Sequence, residues 1–305
     1  MSPALGAAGG ILADRLLGEP PSCVHPVVGF GAAMRRLEGV LWRDSRRAGA
    51  GYAAAGVGAG AAAGYLLGSA ATATTMAVAG RALIRTAGSV SRALADGDSV
   101  RARALLPGLV GRDTDGLDEK DMARAVVESV AENTVDAVVA PALWATVAGA
   151  PGALAYRAAN TMDAMVGHRS PRYAEFGWAS ARLDDVAGWI PARVTAALVM
   201  AVRPRSATAV WRAVRRDAGR HPSPNAGVAE AAFAAALGLR LGGASRYGGR
   251  LELRPSLGDG RPAEPGDVAR AVHLSTDVSL ALAAGLATVG LAGRRHRRGR
   301  RRRSG

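Results

Sequence analysis

Residues that can do chemistry are concentrated in one stretch of the chain, residues 128–193, where they stand beside apolar sequence. Carboxylates, amides, arginines and a histidine occur there next to segments rich in alanine and valine. An ionised group that leaves water without a partner costs on the order of several kcal/mol, and a solvated loop needs no such arrangement. The pattern therefore predicts a polar site built at a membrane surface.

Three carboxylates in this stretch share a helical spacing. If residues 128–136 are helical, Glu128, Glu132 and Asp136 fall on one face, because they are four residues apart. Such a column repels itself unless a cation lies within it, and Mg²⁺ prefers one or two carboxylates with waters and substrate phosphates. We expect the three to bind magnesium, Glu132 to take part in catalysis, and Asn133 to contact substrate. A solvated acidic helix face is the alternative, and the spacing leaves both open.

A second group of polar residues occupies residues 156–172. Arginines beside a proline-containing turn suit phosphate, because guanidinium offers paired donors to phosphate oxygens. His168 can act as a general base, although a lone histidine beside glycine is more often a structural hydrogen-bonding group. We predict Asp163 and His168 as catalytic residues. The residues predicted to bind substrate or phosphate are Arg157, Asn160, Arg169 and Arg172 in this group, and Arg182 beyond it.

Further polar positions lie outside these two groups. Helix capping explains one of the pair Asp184 and Asp185, and the other is a candidate for binding metal or orienting Arg182. Asn225 follows a proline-rich turn and is predicted to cap the next helix, to bind substrate, or both. Asp14 interrupts an apolar run, and the cost of that position makes it a functional candidate.

The elements that must position these residues are apolar helices. A membrane-spanning helix needs about 20 residues, and four windows approach that length: 51–79, 137–155, 187–202 and 278–292. A weaker window, 226–241, is predicted as an interfacial or re-entrant helix. No strand alternation is sustained. We therefore predict an all-α polytopic integral membrane protein, with about four to five transmembrane or re-entrant helices and polar helical connectors.

Composition supports this fold class and excludes others. The chain is 49% hydrophobic but only 4% aromatic, and small residues let membrane helices approach closely, although a GC-rich genome also enriches alanine and glycine. Eight arginines in residues 294–305 supply more than half of the formal charge of +14, without aromatic interleaving, so we predict no nucleic-acid partner. Residues 1–293 are predicted to form one membrane domain, and 294–305 a disordered, cytoplasmic basic tail on anionic lipid.

Two sequence features narrow the chemistry. Cys23 is the only cysteine, so neither an internal disulfide nor a thiolate metal cluster can form within the chain. The motif GxxxxGK[ST] is absent, so any ATP is not bound by a P-loop.

Four separate blocks of sequence resemble the CobD/CbiB family, the adenosylcobinamide-phosphate synthases of cobalamin biosynthesis. They contain DRLLGEPPSCVHPVVGFG, ESVAENTVDAVVAPALW, YRAANTMDAMVGHRSPRYAEFGWASARLDDVAGWIPAR and HPSPNAGVAEAAFAAALGLRLGGASRYGG. The blocks occur in the family's order between residues 14 and 274, which makes the resemblance far more specific than one short motif. It does not extend to the arginine-rich tail.

The resemblance implies a reaction. The propionate carboxylate of adenosylcobyric acid would be joined in amide linkage to (R)-1-aminopropan-2-ol or its O-phosphate, with ATP and Mg²⁺ as the expected cofactors. The implied partners are the corrinoid, the amino alcohol, membrane lipid and other enzymes of the pathway, and the implied location is the cell membrane. A non-enzymatic membrane scaffold or transport subunit for corrinoid intermediates is the alternative.

Overall fold

The computed structural model describes residues 1–18, 25–168 and 170–303. Helices dominate these residues, as predicted. They are α1 (Pro3–Leu17), α2 (Pro26–Leu41), α3 (Arg46–Leu67), α4 (Ala70–Ala77), α5 (Gly80–Ala95), α6 (Ser99–Leu105), α7 (Glu119–Thr134), α8 (Ala140–Met162), α9 (Trp178–Val202), α10 (Ala207–Asp217), α11 (Ala226–Leu237) and α12 (Pro265–Arg303).

Four helical stretches in the described part of the chain are long and apolar enough to cross a membrane. They are Arg46–Leu67, Glu119–Gly167, Trp178–Val202 and Pro265–Arg295, and each contains or overlaps one of the four apolar windows of the sequence. The all-α polytopic fold class is therefore confirmed. The weaker window splits, because α11 ends at Gly238, whose φ of 68° is left-handed, and a strand follows it.

A small sheet forms where the sequence shows no sustained strand alternation. It contains β1 (Leu239–Tyr247), β2 (Arg250–Leu257) and β3 (Arg261–Pro262), in the order β2-β1-β3; β1 pairs antiparallel with β2 and parallel with β3. The register of β1 against β2 shifts between Leu241 and Gly243, where Gly242 and Gly243 have φ values of 86° and 93°. This glycine bulge breaks the period-2 alternation by which a strand is recognised in sequence.

Contacts divide the chain into two compact units, whereas the sequence analysis predicts one domain over residues 1–293. The first unit contains residues 1–79, 136–188 and 282–305; the second contains 80–135 and 189–281. In the first unit α3 and α1 pack against α8, and α1 also packs against α4. Glycines on α3 permit the close approach, because Cβ atoms at Gly60 and Gly64 would collide with backbone carbonyls of α8.

The helix α8 is broken near its middle. Ala148 and Gly149 leave helical geometry, and Gly149 has φ 65° and ψ −152°. The Tyr156 hydroxyl lies 3.4 Å from Asp136 Oδ1, although 20 residues of straight helix span about 30 Å. The chain therefore folds back at Gly149, and the window at residues 137–155 is a helical hairpin rather than one straight span. Pro151 lies at the start of the second arm, where its missing N–H costs little.

The last helix also differs from the sequence prediction. The helical backbone of α12 continues to Arg303, through residues for which we predict a disordered tail. Arginine has a high intrinsic helix propensity, which favours a helical backbone here. The prediction of a disordered tail used only the charge of these residues and neglected this propensity.

Candidate functional site

The predicted site residues fall in both units. The first unit holds Asp136, Arg157, Asn160, Asp163, His168, Arg172 and Arg182. The second holds Glu128, Glu132, Asn133 and Asn225. The prediction for Arg169 lies outside the described residues.

In the first unit, two of the predicted aspartates lie in π-helical turns. Asp136 lies in Val135–Val139, and Asp163 begins Asp163–Gly167. Such turns carry one extra residue per turn and are frequent at functional sites. A Cβ atom at Gly167 would collide with the Asp163 carboxylate, so glycine is needed for that carboxylate to lie against its own turn.

A polar network connects the helical hairpin with α9. The Tyr156 hydroxyl donates to Asp136 Oδ1 at 3.4 Å, and Asn160 Nδ2 donates to Asp184 Oδ1 at 3.1 Å. Tyr156 and Asn160 are four residues apart in one arm of α8 and therefore share a face. Arg157 Nη1 approaches Asn160 Oδ1 at 3.4 Å. The network thus contains Asp136, Arg157 and Asn160, which the sequence predicts for the site, together with Asp184, a further candidate, and Tyr156, which is not predicted.

The capping interpretation of the paired aspartates is wrong. Helix α9 begins at Trp178, so Asp184 and Asp185 lie inside it rather than at its N-terminus. Asp184 belongs to the polar network, whereas Asp185 lies 3.6 Å from the exposed guanidinium of Arg182. This ion pair agrees with the expectation that one aspartate orients Arg182.

Arg172 and His168 lie in a different environment of the same unit. The Arg172 guanidinium lies 3.2 Å from Glu38 Oε1 and 4.7 Å from the centre of the Trp42 ring. Tyr173 also donates to Glu38, at 2.8 Å, and its ring meets that of His168 edge-on at 5.0 Å. Arg172 is therefore already held by a carboxylate and an aromatic face, so a phosphate bound there has to share it with Glu38.

In the second unit, Glu128 is buried in an ion pair. Its Oε2 lies 2.5 Å from Arg112 Nη2, and its Oε1 accepts a hydrogen bond from the backbone N–H of Gly242 at 2.8 Å. Arg124 lies 3.7 Å from the same carboxylate and donates to the carbonyls of Gly242 and Ala244. Protein donors thus engage both oxygens of Glu128, which fastens the glycine bulge of β1 to α7.

This arrangement does not fit Glu128 as a magnesium ligand. Glu132 is exposed, Asn133 donates from its side chain to Ser129, and Asp136 lies in the π-helical turn beyond α7. Within the described residues, no group of three or more histidine, cysteine or acidic side chains has an arrangement suited to a metal ion. Magnesium binding by Glu132 and Asp136 stays a prediction.

A buried group beside this ion pair escaped the sequence analysis. Glu230 Oε1 lies 3.8 Å from His221 Nε2, which in turn lies 3.1 Å from Arg254 Nη1. Arg254 has only donors, so His221 Nε2 accepts from it, and His221 Nδ1 lies 3.2 Å from the carbonyl oxygen and 3.1 Å from the backbone nitrogen of Ser223. Arg254 Nη2 also donates to the Tyr247 hydroxyl at 3.3 Å.

Burial shifts both titratable groups of this cluster toward neutrality. It lowers the pKa of His221 below its ordinary 6.5, and it raises the pKa of Glu230 well above 4.5, with the charges of Glu128 and Glu132 adding to the rise. The signal in the sequence was the single charge in the alanine-rich run of α11. The cost argument applied to Asp14 would have identified Glu230 as well.

Asn225 stands at the N-cap position of α11, as predicted, but its side chain does not cap the helix. The Ser223 hydroxyl accepts from the backbone N–H groups of Asn225 and Ala226 instead, at 3.3 and 3.2 Å. Asn225 Oδ1 accepts from Arg193 Nη1 at 3.3 Å, and Arg193 stacks on Trp189. The prediction that Asn225 binds substrate is unaffected by this geometry.

Known proteins that are similar to this chain belong to one family. The model of the family described as CobD/Cbib protein matches residues 7–275. A protein of Mycobacterium tuberculosis named cobalamin biosynthesis protein CobD is 50% identical over 288 residues, which cover 89% of this chain and 91% of the relative. Proteins of the same name from Geobacter metallireducens and Chromobacterium violaceum are 43% and 42% identical, covering 84% and 87% of this chain and 86% and 89% of their own. No solved structure is significantly similar to the chain.

Proposed function

This chain belongs to the CobD/CbiB family of cobalamin biosynthesis proteins, and we propose that it is an adenosylcobinamide-phosphate synthase. It joins the propionate carboxylate of adenosylcobyric acid to (R)-1-aminopropan-2-ol or its O-phosphate. The reaction takes place at the cell membrane, into which the apolar helices are inserted.

The observation that carries this proposal is the polar network of the first unit. Tyr156 and Asn160, on one arm of the helical hairpin, donate to Asp136, which precedes the hairpin, and to Asp184 of α9, and much of the surrounding sequence is apolar. Carboxylates held in such surroundings are suited to bind a small organic cation, and the amino alcohol carries an ammonium group at neutral pH. A subunit that only holds corrinoids or inserts into membranes needs no such carboxylates.

The chemistry requires activation of a carboxylate. ATP would transfer its γ-phosphoryl group to the propionate, giving an acyl phosphate and ADP; the free amine then attacks the carbonyl carbon, the C–N bond forms, and phosphate leaves. The ammonium must lose a proton before it attacks, and the new amide nitrogen loses a second one. We assign proton transfer to Glu132, Asp163 and His168, and phosphate contacts to Arg157, Arg169, Arg172 and Arg182, with Asn133, Asn160 and Asn225 orienting substrate.

Magnesium would neutralise the charge of the transferred phosphoryl group. Glu132 and Asp136 are the residues proposed to approach it, since Glu128 is committed to its ion pair with Arg112. Contact of the enzyme with other proteins of the pathway belongs to the same proposal.

The test is an assay of the purified protein in detergent with adenosylcobyric acid, either form of the amino alcohol, and Mg-ATP, with the amide product followed by mass. Asp184→Asn keeps the size of the side chain and removes its charge, so we expect turnover to fall about 100-fold. Asp44→Asn, an exposed aspartate of the same unit, is the matched control. Absence of amide product from wild-type protein with both amines would favour the scaffold or transport alternative.

A further inference from the structure

A cavity of about 250 Å³ opens in the second unit beside the glycine bulge of β1. Three arginines line it, one each from α7, β1 and β2, namely Arg124, Arg240 and Arg254. Gly242, Gly243 and Ser256 complete its polar lining, and no acidic residue contributes to the lining in the described part of the chain. We call it the arginine cavity. None of its lining residues is among the catalytic, substrate-binding or metal-binding residues predicted from the sequence.

Two of the three guanidinium groups are fixed by the fold. Arg124 donates to the carbonyls of Gly242 and Ala244 at 2.7 and 2.8 Å. Arg254 is held by His221 and by the Tyr247 hydroxyl, and its guanidinium lies 5.3 Å from the centre of the Tyr247 ring. Donors that are already ordered lose little conformational freedom when an anion binds.

Their charges are balanced differently from that of Arg240. Arg124 has Asp121 at 2.9 Å and Glu128 at 3.7 Å, and Arg254 has Glu252 at 3.6 Å. Arg240 is exposed and has no ion pair with any described residue. The cavity therefore combines two oriented, partly neutralised guanidinium groups with one whose full charge is available.

The glycine bulge makes the backbone accessible at the cavity. A Cβ atom at Gly242 would collide with the carbonyl of Pro255, so that position requires glycine for the fold itself. A Cβ atom at Gly243 would meet only Arg124 Nη1, at 4.0 Å, and would otherwise stand in open space. Two successive glycines with positive φ thus leave the backbone bare where a ligand can approach it.

We propose that the arginine cavity binds a phosphate group of a small-molecule co-substrate, with Arg240 as the principal charged contact and Ser256 as a neutral donor. Guanidinium groups suit phosphate because they offer paired donors in one plane. The source of the phosphate is either the nucleotide or the phosphorylated amino alcohol. The identity of these two compounds rests on the proposed function. The existence of a site for an oxyanion does not depend on it.

Binding to wild-type protein in detergent is measured by calorimetry with four separate probes: inorganic phosphate, ATP, (R)-1-aminopropan-2-ol O-phosphate and unphosphorylated aminopropanol. Arg240→Gln removes the uncompensated charge at an exposed position, so the fold should tolerate it. Arg246→Gln removes the same charge from the same strand outside the cavity lining and is the control. Arg240→Lys restores charge without the paired donors.

We expect Arg240→Gln to weaken at least one phosphorylated probe by about tenfold or more, since hydrogen bonds to charged groups are the strong ones. Arg240→Lys should recover part of that loss, and Arg246→Gln should stay within about twofold of wild type. The probe most affected identifies the source of the phosphate. Equal affinities of Arg240→Gln and Arg246→Gln for every probe would overturn the proposal, and so would a wild-type protein that binds none of inorganic phosphate, ATP and the phosphorylated amino alcohol.

The same variants separate this proposal from the proposed function. If wild-type protein forms the amide and Arg240→Gln binds the phosphorylated probes as tightly as wild type, the phosphate site is wrong and the proposed synthase activity stands. If phosphate binding depends on Arg240 but wild-type protein forms no amide, the phosphate site stands and the proposed synthase activity is wrong.

Discussion

Glu128 shows how strongly the role of one carboxylate depends on residues far away in the chain. By spacing alone it belongs with Glu132 and Asp136, four residues apart on a helical face. In the structure its two oxygens contact Arg112 and the N–H of Gly242, 114 residues later. A buried carboxylate with such partners stabilises the fold, whereas the neighbouring Glu132 is exposed.

We expect Glu128→Gln to destabilise the protein by about 3 kcal/mol, because it leaves Arg112 buried without its counter-charge. Glu132→Gln should leave stability within about 0.5 kcal/mol and, through its proposed role with magnesium and in proton transfer, lower turnover about 100-fold. Thermal unfolding in detergent and turnover at several magnesium concentrations separate the two effects. Normal stability of Glu128→Gln would contradict the ion-pair role of that residue.

The buried His221 should make stability depend on pH. Its pKa is lowered in the folded protein, so the unfolded chain binds the proton more readily. The contribution of His221 to the free energy of unfolding is complete above pH 6.5. It is lost as pH falls from 6.5 toward the pKa of the folded protein, at up to about 1.4 kcal/mol per pH unit. Glu230 acts in the opposite direction, because its pKa is raised in the folded protein, so His221 is isolated by comparing wild type with His221→Gln. The difference in melting temperature between the two proteins, measured from pH 5 to 8, should decrease as pH falls below 6.5. A difference that stays constant over this range would contradict the role of His221.

At the scale of elements, glycines decide where helices touch. Gly64 of α3 lies against Ala150 and Pro151 of α8, whereas Gly58 of the same helix faces open space. Both look alike in the sequence, because α3 has glycine at many positions and little amphipathic pattern. Only the position of the neighbouring helix distinguishes a required glycine from a dispensable one.

Alanine at these two positions should therefore act in opposite directions. Gly64→Ala places a methyl group against backbone that cannot rotate away, which we expect to cost about 1–3 kcal/mol. Gly58→Ala should be neutral or stabilising by about 0.5–1 kcal/mol, since alanine loses less backbone entropy in a helix. Thermal unfolding of both variants under the same conditions measures the difference. Equal effects would show that α3 does not pack through Gly64.

For the whole molecule, the four apolar helical stretches predict integration into a membrane. After lysis, the protein should remain in the pellet through carbonate and high-salt washes and require detergent for release, because buried apolar surface rather than charge would hold it there. Immunoblots of the fractions provide the measurement. Recovery in the carbonate supernatant would contradict the transmembrane arrangement.

The sequence by itself determined the fold class, the apolar windows and the family. Length and hydropathy of a segment are local properties, so the four windows are readable without any partner. The family blocks carry their information in residue order, which likewise needs no coordinates. The same local signals placed Asp136, Arg157 and Asn160 in a candidate site.

Only the tertiary structure decided which polar groups meet. The hairpin at Gly149 brings Tyr156 to Asp136, and the glycine bulge of β1 brings a backbone donor to Glu128. The arginine cavity likewise combines Arg124 of α7 with Arg240 of β1, which lies 116 residues later in the chain. Burial and ion pairing depend on what the rest of the chain places beside a group, and helical spacing describes only neighbours within one turn or two.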